Sequence, residues 1–157
     1  MPRNTYKKQP VKKDDIYNSF EVAKLINYLM IDGKKTVARK IVYQVFEKIK
    51  KEGKDPIAVL EDAIHNVAPN YEVKPRRLGG ASYLVPIEVR QERKLFLALN
   101  WIIEAAKAKS SKEFHTYVDK LYSELIEAST NQGAAVAKKA QTEKLAEANK
   151  AFSHLKW

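Results

Sequence analysis

Lys74, Arg76 and Arg77 stand within four residues, and Gly79-Gly80 follows just beyond them. Fixed cations beside paired glycines suit electrostatic contact with phosphates, approached closely because no Cβ intervenes. Tyr83, three residues past the glycines, adds an aromatic face that can stack on an unpaired base or pack across strands. Three more groups of cations share this character. Arg3, Lys7, Lys8, Lys12 and Lys13 lie in a stretch, 1–13, that holds no acid. Residues 34–51 carry seven cations, beginning with Lys34, Lys35 and Arg39, against Glu47 alone. Arg90, Arg93 and Lys94 follow the ribbon-like stretch, and Lys138 and Lys139 open a fourth group near the C-terminus. The chain as a whole has 29 Lys and Arg against 19 Asp and Glu, a net charge of +10. The excess is concentrated in arms and loops, while the apolar stripes stay nearly clean, which argues for a binding face for a polyanion.

Catalytic chemistry finds little footing. His65, His115 and His154 are far apart and have no carboxylates at metal-ligand spacing, so each reads as an ordinary surface histidine and no metal site is expected. The segment "DGKKT" at 32–36 resembles a phosphate-binding loop only superficially: Tyr28 stands where that loop needs glycine. Gly79-Gly80 opens no helix and is no dinucleotide fingerprint. No GxSxG and no nucleophile–base pairing is present. The expectation is a non-enzyme with no cofactor and no small-molecule substrate. With no cysteine, a disulfide framework and thiolate metal ligation are excluded. No run approaches the roughly 18 apolar residues of a membrane span, and the N-terminal stretch lacks the apolar core of a secretory signal, so no membrane partner is expected.

The elements that must position these cations are mostly helical. Pro2 and Pro10 favour an extended basic arm over 1–13, ahead of a single domain over 14–157. Asn18-Ser19 offers an N-cap, and Val22, Leu25, Ile26, Leu29 and Met30 follow a helical rhythm that Asp32-Gly33 ends. Val37, Ala38, Ile41, Val42, Val45, Phe46 and Ile49 predict a second helix, closed by Gly53. Asp55-Pro56 starts a third, with Ile57, Leu60, Ala63, Ile64 and Val67 inward. Over 71–90 apolar and polar residues alternate on both sides of the glycine pair, a hairpin signal. Pro75 and Pro86 cannot serve a central strand, so this is a lone ribbon or an edge, which needs packing at its base or a partner along its length. Leu95, Ala98, Leu99, Ile102, Ile103 and Ala106 predict a fourth helix. Phe114, Tyr117, Val118, Leu121, Tyr122, Leu125 and Ile126 predict a fifth. A sixth, over roughly 134–152, is poor in large apolar residues. The expected fold is mainly α: about six helices in a bundle with one protruding two-stranded antiparallel β-ribbon. The residues alone leave an RNA-binding structural protein and an architectural DNA-bending protein with a basic ribbon arm both open.

Three segments are more specific. "IYNSFEVAKLINYLMIDGKKTVARKIVY" at 16–43, "EVKPRRLGGASYLVPIEVRQER" at 72–93, and "NQGAAVAKK" with "AEANKAFSHLKW" toward the C-terminus resemble the bacterial type of ribosomal protein seven of the small subunit. The resemblance runs from about residue 14 to the end. Leu84 stands where that family commonly has Gln, "AQTEK" at 140–144 replaces its usual charged run, and only the basic character of the arm carries over. The resemblance implies a cytoplasmic ribosomal protein that binds the 3′ major domain of small-subunit rRNA and nucleates assembly of the subunit head. It implies a place near the exit-site tRNA and the mRNA exit path, beside small-subunit proteins nine and eleven. On that basis the arm cations, Lys34, Lys35, Arg39, Lys74, Arg90, Arg93, Lys94, Lys138 and Lys139 are expected to meet rRNA. Arg76, Arg77, Gly79, Gly80 and Tyr83 are expected to face tRNA at the subunit interface.

Overall fold

The structure is a computed structural model that describes residues 11–155. Helix α1, Phe20–Leu29, starts at Ser19, whose Oγ accepts the Val22 N–H at 3.3 Å. It ends at a turn in which Asp32 and Gly33 both take positive φ, 53° and 71°. Helix α2, Lys35–Lys51, buries Ala38, Val42, Val45, Phe46 and Ile49. Val37, expected inward, is 53% exposed, because at the helix start only an open groove adjoins it. Helix α3, Pro56–Val67, begins as Asp55-Pro56 predicts, with Asp55 Oδ1 accepting the Ile57 N–H. Its buried face includes Val59, Leu60, Ala63 and Val67, so Val59 joins the core while Ile57 and Ile64, expected inward, are only half-buried.

Helix α4, Gln91–Ala108, touches α1, α3, helix α5 (Tyr117–Ser129) and helix α6 (Ala134–Ala148). Leu97, Trp101 and Ala105 are buried along with the expected stripe, except its half-buried first member Leu95, so α4 is covered on more sides than one periodic face would require. Each fully buried Leu or Ile in such a core contributes about 1.5–3 kcal/mol. Helix α5 is capped by Thr116, whose Oγ1 accepts the Asp119 N–H at 3.2 Å. Phe114, read from the sequence as part of this helix, therefore precedes it. Helix α6 ends at Ala148, short of the expected 152, and a 3-10 helix, Lys150–Leu155, follows. The buried residues of α6 are the small Ala135 and Ala146, while Leu145 is 47% exposed.

A buried polar knot ties the far end of the bundle. Glu124 is fully buried on α5; its Oε1 accepts the Ala135 N–H at 3.0 Å and its Oε2 lies 3.2 Å from Lys109 Nζ. Lys109 also reaches Glu127 Oε1 at 2.6 Å and Ser123 Oγ at 3.1 Å. Burial pushes the Glu127 carboxyl up, but these partners outweigh it and hold it below its ordinary range. Glu124 thus supplies the start of α6 with a carboxylate that Gly133, the residue before it, lacks the side chain to provide.

Strands β1, Tyr71–Leu78, and β2, Ala81–Glu88, form the only sheet among the described residues, antiparallel and two-stranded. The ribbon ends at Glu88, two residues before the expected boundary, since Arg90 caps α4. Its prolines sit in a pair with two open edges, as their missing N–H groups require. The lone ribbon is held from one side: α6 packs against β1, and the 3-10 helix packs against β2.

Candidate nucleic-acid interface

The basic start of α2 runs against ordinary helix electrostatics. Lys34 is its N-cap without a side-chain cap bond, Lys35 is its first residue, and no acid lies in its first turn. Cations at the positive end of a helix dipole are unfavourable, so the charge at this end does not serve helix stability. Lys34, Lys35 and Lys40 are all exposed.

Residues 12–15 are fastened to this helix. Asp14, 6% exposed, accepts the Tyr43 hydroxyl at 2.9 Å and the backbone N–H groups of Ile16 and Tyr17 at 3.1 Å each. Burial, then the Asp14 hydrogen bond and its charge, push the Tyr43 phenol up to about 12. Arg39 Nη2 lies 3.3 Å from Asp15 Oδ2, while Arg39 Nε has no hydrogen-bond partner among the described residues. The Tyr17 ring packs on Tyr43 and edge-on to Phe46, with Lys50 Nζ 4.8 Å above its centre. A two-aspartate joint therefore ties the residues next to exposed Lys12-Lys13 to Arg39 and Tyr43 of α2.

The ribbon tip turns on Gly79 and Gly80, with φ of 54° and 89°, the two positive values that a tight two-residue hairpin turn demands. Arg77 pairs with Ser82 and Arg76 with Tyr83 across the strands. Arg77, Gly79 and Gly80 are exposed. The Tyr83 ring lies 5.3 Å from that of Phe152 in the 3-10 helix, tilted by 52°. At the base, Glu72 joins Lys74 and Arg93, each at 3.2 Å. Arg93 stacks 5.0 Å over Phe96, and Lys94 Nζ donates to Asn70 Oδ1 at 2.8 Å.

A family model for "Ribosomal protein S7p/S5e" matches residues 1–150. The chain belongs to that family. It is 52% identical to the small ribosomal subunit protein uS7 of Acetivibrio thermocellus and 50% identical to that of Caldanaerobacter subterraneus subsp. tengcongensis. It is 48% identical to that of Limosilactobacillus fermentum; in each case the whole of both chains is covered. The match extends into the basic arm, which the sequence reading set outside it, and stops at 150. Ribosomal protein S7 is a structural component and not an enzyme. The DNA-bending alternative gains no support from these matches. No helix among the described residues is long and apolar enough to cross a membrane.

Within this S7-family chain the candidate residues divide by what already holds them. Lys12, Lys13, Lys34 and Lys35 are exposed, and Asp15 links the segment that follows Lys12-Lys13 to Arg39 on α2. Arg93 and Lys94 have partners, Glu72 and Asn70, that fasten the ribbon base to α4, whereas Lys74 pairs with Glu72 within β1; Lys74 and Arg93 remain half exposed. Lys138 pairs with Glu104 and lies over Trp101, and Lys139 Nζ donates to the Asn66 carbonyl at 2.9 Å. Arg3, Lys7 and Lys8 lie outside the described residues. Sequence reasoning missed Asp14, Tyr43 and Phe152. The adjacent Asp14-Asp15, the first acids after a basic run, were the visible hint; nothing in the local pattern pointed to Phe152.

Proposed function

We propose that this chain is a structural constituent of the small ribosomal subunit and binds its RNA directly. The reading extends to the 3′ major domain of small-subunit rRNA, and to an early role in assembling the subunit head. The supporting observation is the two-aspartate joint, which ties the segment carrying Lys12-Lys13 to Arg39 and Tyr43 of α2, a helix whose start is cationic and lacks a side-chain cap. One continuous basic face can neutralise several phosphates of a folded RNA at once, with counterion release as the driving force. Arg39 fits this role because Asp15 orients its guanidinium while the side chain stays 39% exposed.

The ribbon takes the second role. Its exposed "RLGGA" tip, residues 77–81, carries Arg77 away from the bundle toward the exit-site tRNA and the mRNA exit path. Small-subunit proteins nine and eleven are the proposed protein neighbours. In this reading Arg90 and the half-exposed Lys74 and Arg93 bridge the ribbon base to rRNA, while Arg93 also holds it to α4 through Glu72. A salt series with 3′ major-domain RNA and with duplex DNA of equal length tests the proposal. Tighter binding to the RNA, with a slope of several units, is expected; equal or tighter binding to the duplex overturns it. Arg76→Ala with Arg77→Ala should leave most of the affinity for the isolated RNA intact, whereas complete loss would contradict the tip's placement.

A further inference from the structure

Beside the basic start of α2 lies a groove of about 240 Å³, walled by Leu29, Ile31, Val37 and Ile41. Ile31 and Val37 form its lips and are 60% and 53% exposed, two of the largest apolar exposures on the molecule. Lys34 and Lys107 complete the lining, and no acidic side chain is part of it. Tyr117 also lines it, and the Tyr117 hydroxyl is buried without a hydrogen-bond partner among the described residues. Burial alone pushes that phenol up to about 12, so it is a neutral donor at any physiological pH.

These features are separately odd and jointly coherent. Apolar lips in water, an unsatisfied hydroxyl and two rim lysines describe a site for something flat and apolar with a polar edge and negative charge on either side. The volume is below the roughly 300–1,000 Å³ of pockets for drug-sized ligands, and suits a single ring system. Lys34 belongs both to this groove and to the basic face proposed to meet RNA, so the two surfaces are continuous. We infer that the groove accepts one unstacked base of the bound RNA: Ile31 and Val37 hold its faces, the Tyr117 hydroxyl bonds its polar edge, and Lys34 and Lys107 meet the flanking phosphates. Splayed, unpaired bases seated on side chains and read along their edges are a common means of sequence-specific RNA recognition. The site would add base discrimination to a face that otherwise counts only charges.

The inference rests on the RNA-binding reading above, and the experiment separates the two. The full chain is bound to 3′ major-domain RNA over a salt series, and the RNA in each complex is probed with dimethyl sulfate and a carbodiimide. The wild type is expected to protect an unpaired base. Ile31→Ala with Val37→Ala, both at exposed positions, should weaken binding roughly tenfold with an unchanged salt slope, and that base should regain reactivity. Tyr117→Phe should weaken binding roughly three- to tenfold without lowering Tm. If these variants bind and protect as the wild type does, while Lys34→Ala with Lys35→Ala still lowers the slope, the groove holds no base and is left to a protein neighbour. Absence of salt-dependent binding by the wild type would overturn both readings.

Discussion

Asp14→Ala removes the joint between the arm and α2. The Tyr43 hydroxyl loses a charge-assisted acceptor, a bond worth about 1.5–3 kcal/mol. The N–H groups of Ile16 and Tyr17 lose the same carboxylate, but they lie near the surface, where water replaces it at about 0.5 kcal/mol each. The total is about 3 kcal/mol, which lowers Tm by roughly 6–12 °C in a chain of this size. The Tyr43 phenol supplies a local reporter. Its value of about 12 rests first on burial and then on Asp14, so in the variant it should fall toward 10 without reaching it. Lys12 and Lys13 would no longer be held beside Arg39, and the salt slope for RNA should drop by up to about two units. Calorimetry, ultraviolet titration of the tyrosines and the RNA salt series measure the three effects. A Tm within about 2 °C of wild type, or a Tyr43 phenol that still titrates at about 12, would show that the joint neither stabilises the chain nor fixes the arm.

Three further outcomes follow from the same geometry. Lys34→Ala with Lys35→Ala should reduce the RNA salt slope by about two units, whereas Arg39→Ala should reduce it less, because Asp15 already partly neutralises that cation. Gly133→Ala places a Cβ 3.1 Å from Glu124 Oε1 and Glu127 Cβ at a φ of +92°, and should lower unfolding free energy by about 2 kcal/mol in denaturant titrations. Tyr43, Tyr117 and Tyr122 each hold their proton up to about pH 12, against an ordinary value of 10.0. The folded chain therefore binds these protons more tightly than the unfolded one. Their contribution is complete below pH 10 and is lost as pH rises toward 12, so denaturant midpoints should fall steeply across that window and be flat between pH 8 and 9.5.

The parts of the fold legible in the sequence are those decided locally. Ser19 and Asp55-Pro56 mark helix starts by satisfying nearby N–H groups, and the caps form where they were expected. The prolines at 75 and 86 narrowed the hairpin to a lone ribbon or an edge, and among the described residues it is a lone pair. Helix α6 was harder to read, because it packs through Ala135 and Ala146 and offers no large apolar stripe. Glu124 was invisible for a related reason: a buried carboxylate has the same letter as an exposed one, and only the arrival of Lys109 and the α6 backbone explains it. For the candidate interface, sequence located the cations but not their companions. Lys34 and Lys35 read correctly as exposed, while the internal partners of Lys94 and Lys139 come from residues 24 and 73 positions away.

The contact between Tyr83 and Phe152 also has a meaning in time. A chain emerging from the translating ribosome presents β1 and β2 first, and Phe152 follows Tyr83 by 69 positions. At about 5–20 residues per second the ribbon waits roughly 3–14 s for the segment that braces it. Early in that interval, before α6 has emerged, it is a cationic hairpin of marginal stability without the elements that pack on it. Maturation of the ribbon is therefore a late event, coupled to completion of the C-terminal end, whereas α1 to α4 have the residues for their mutual contacts much earlier.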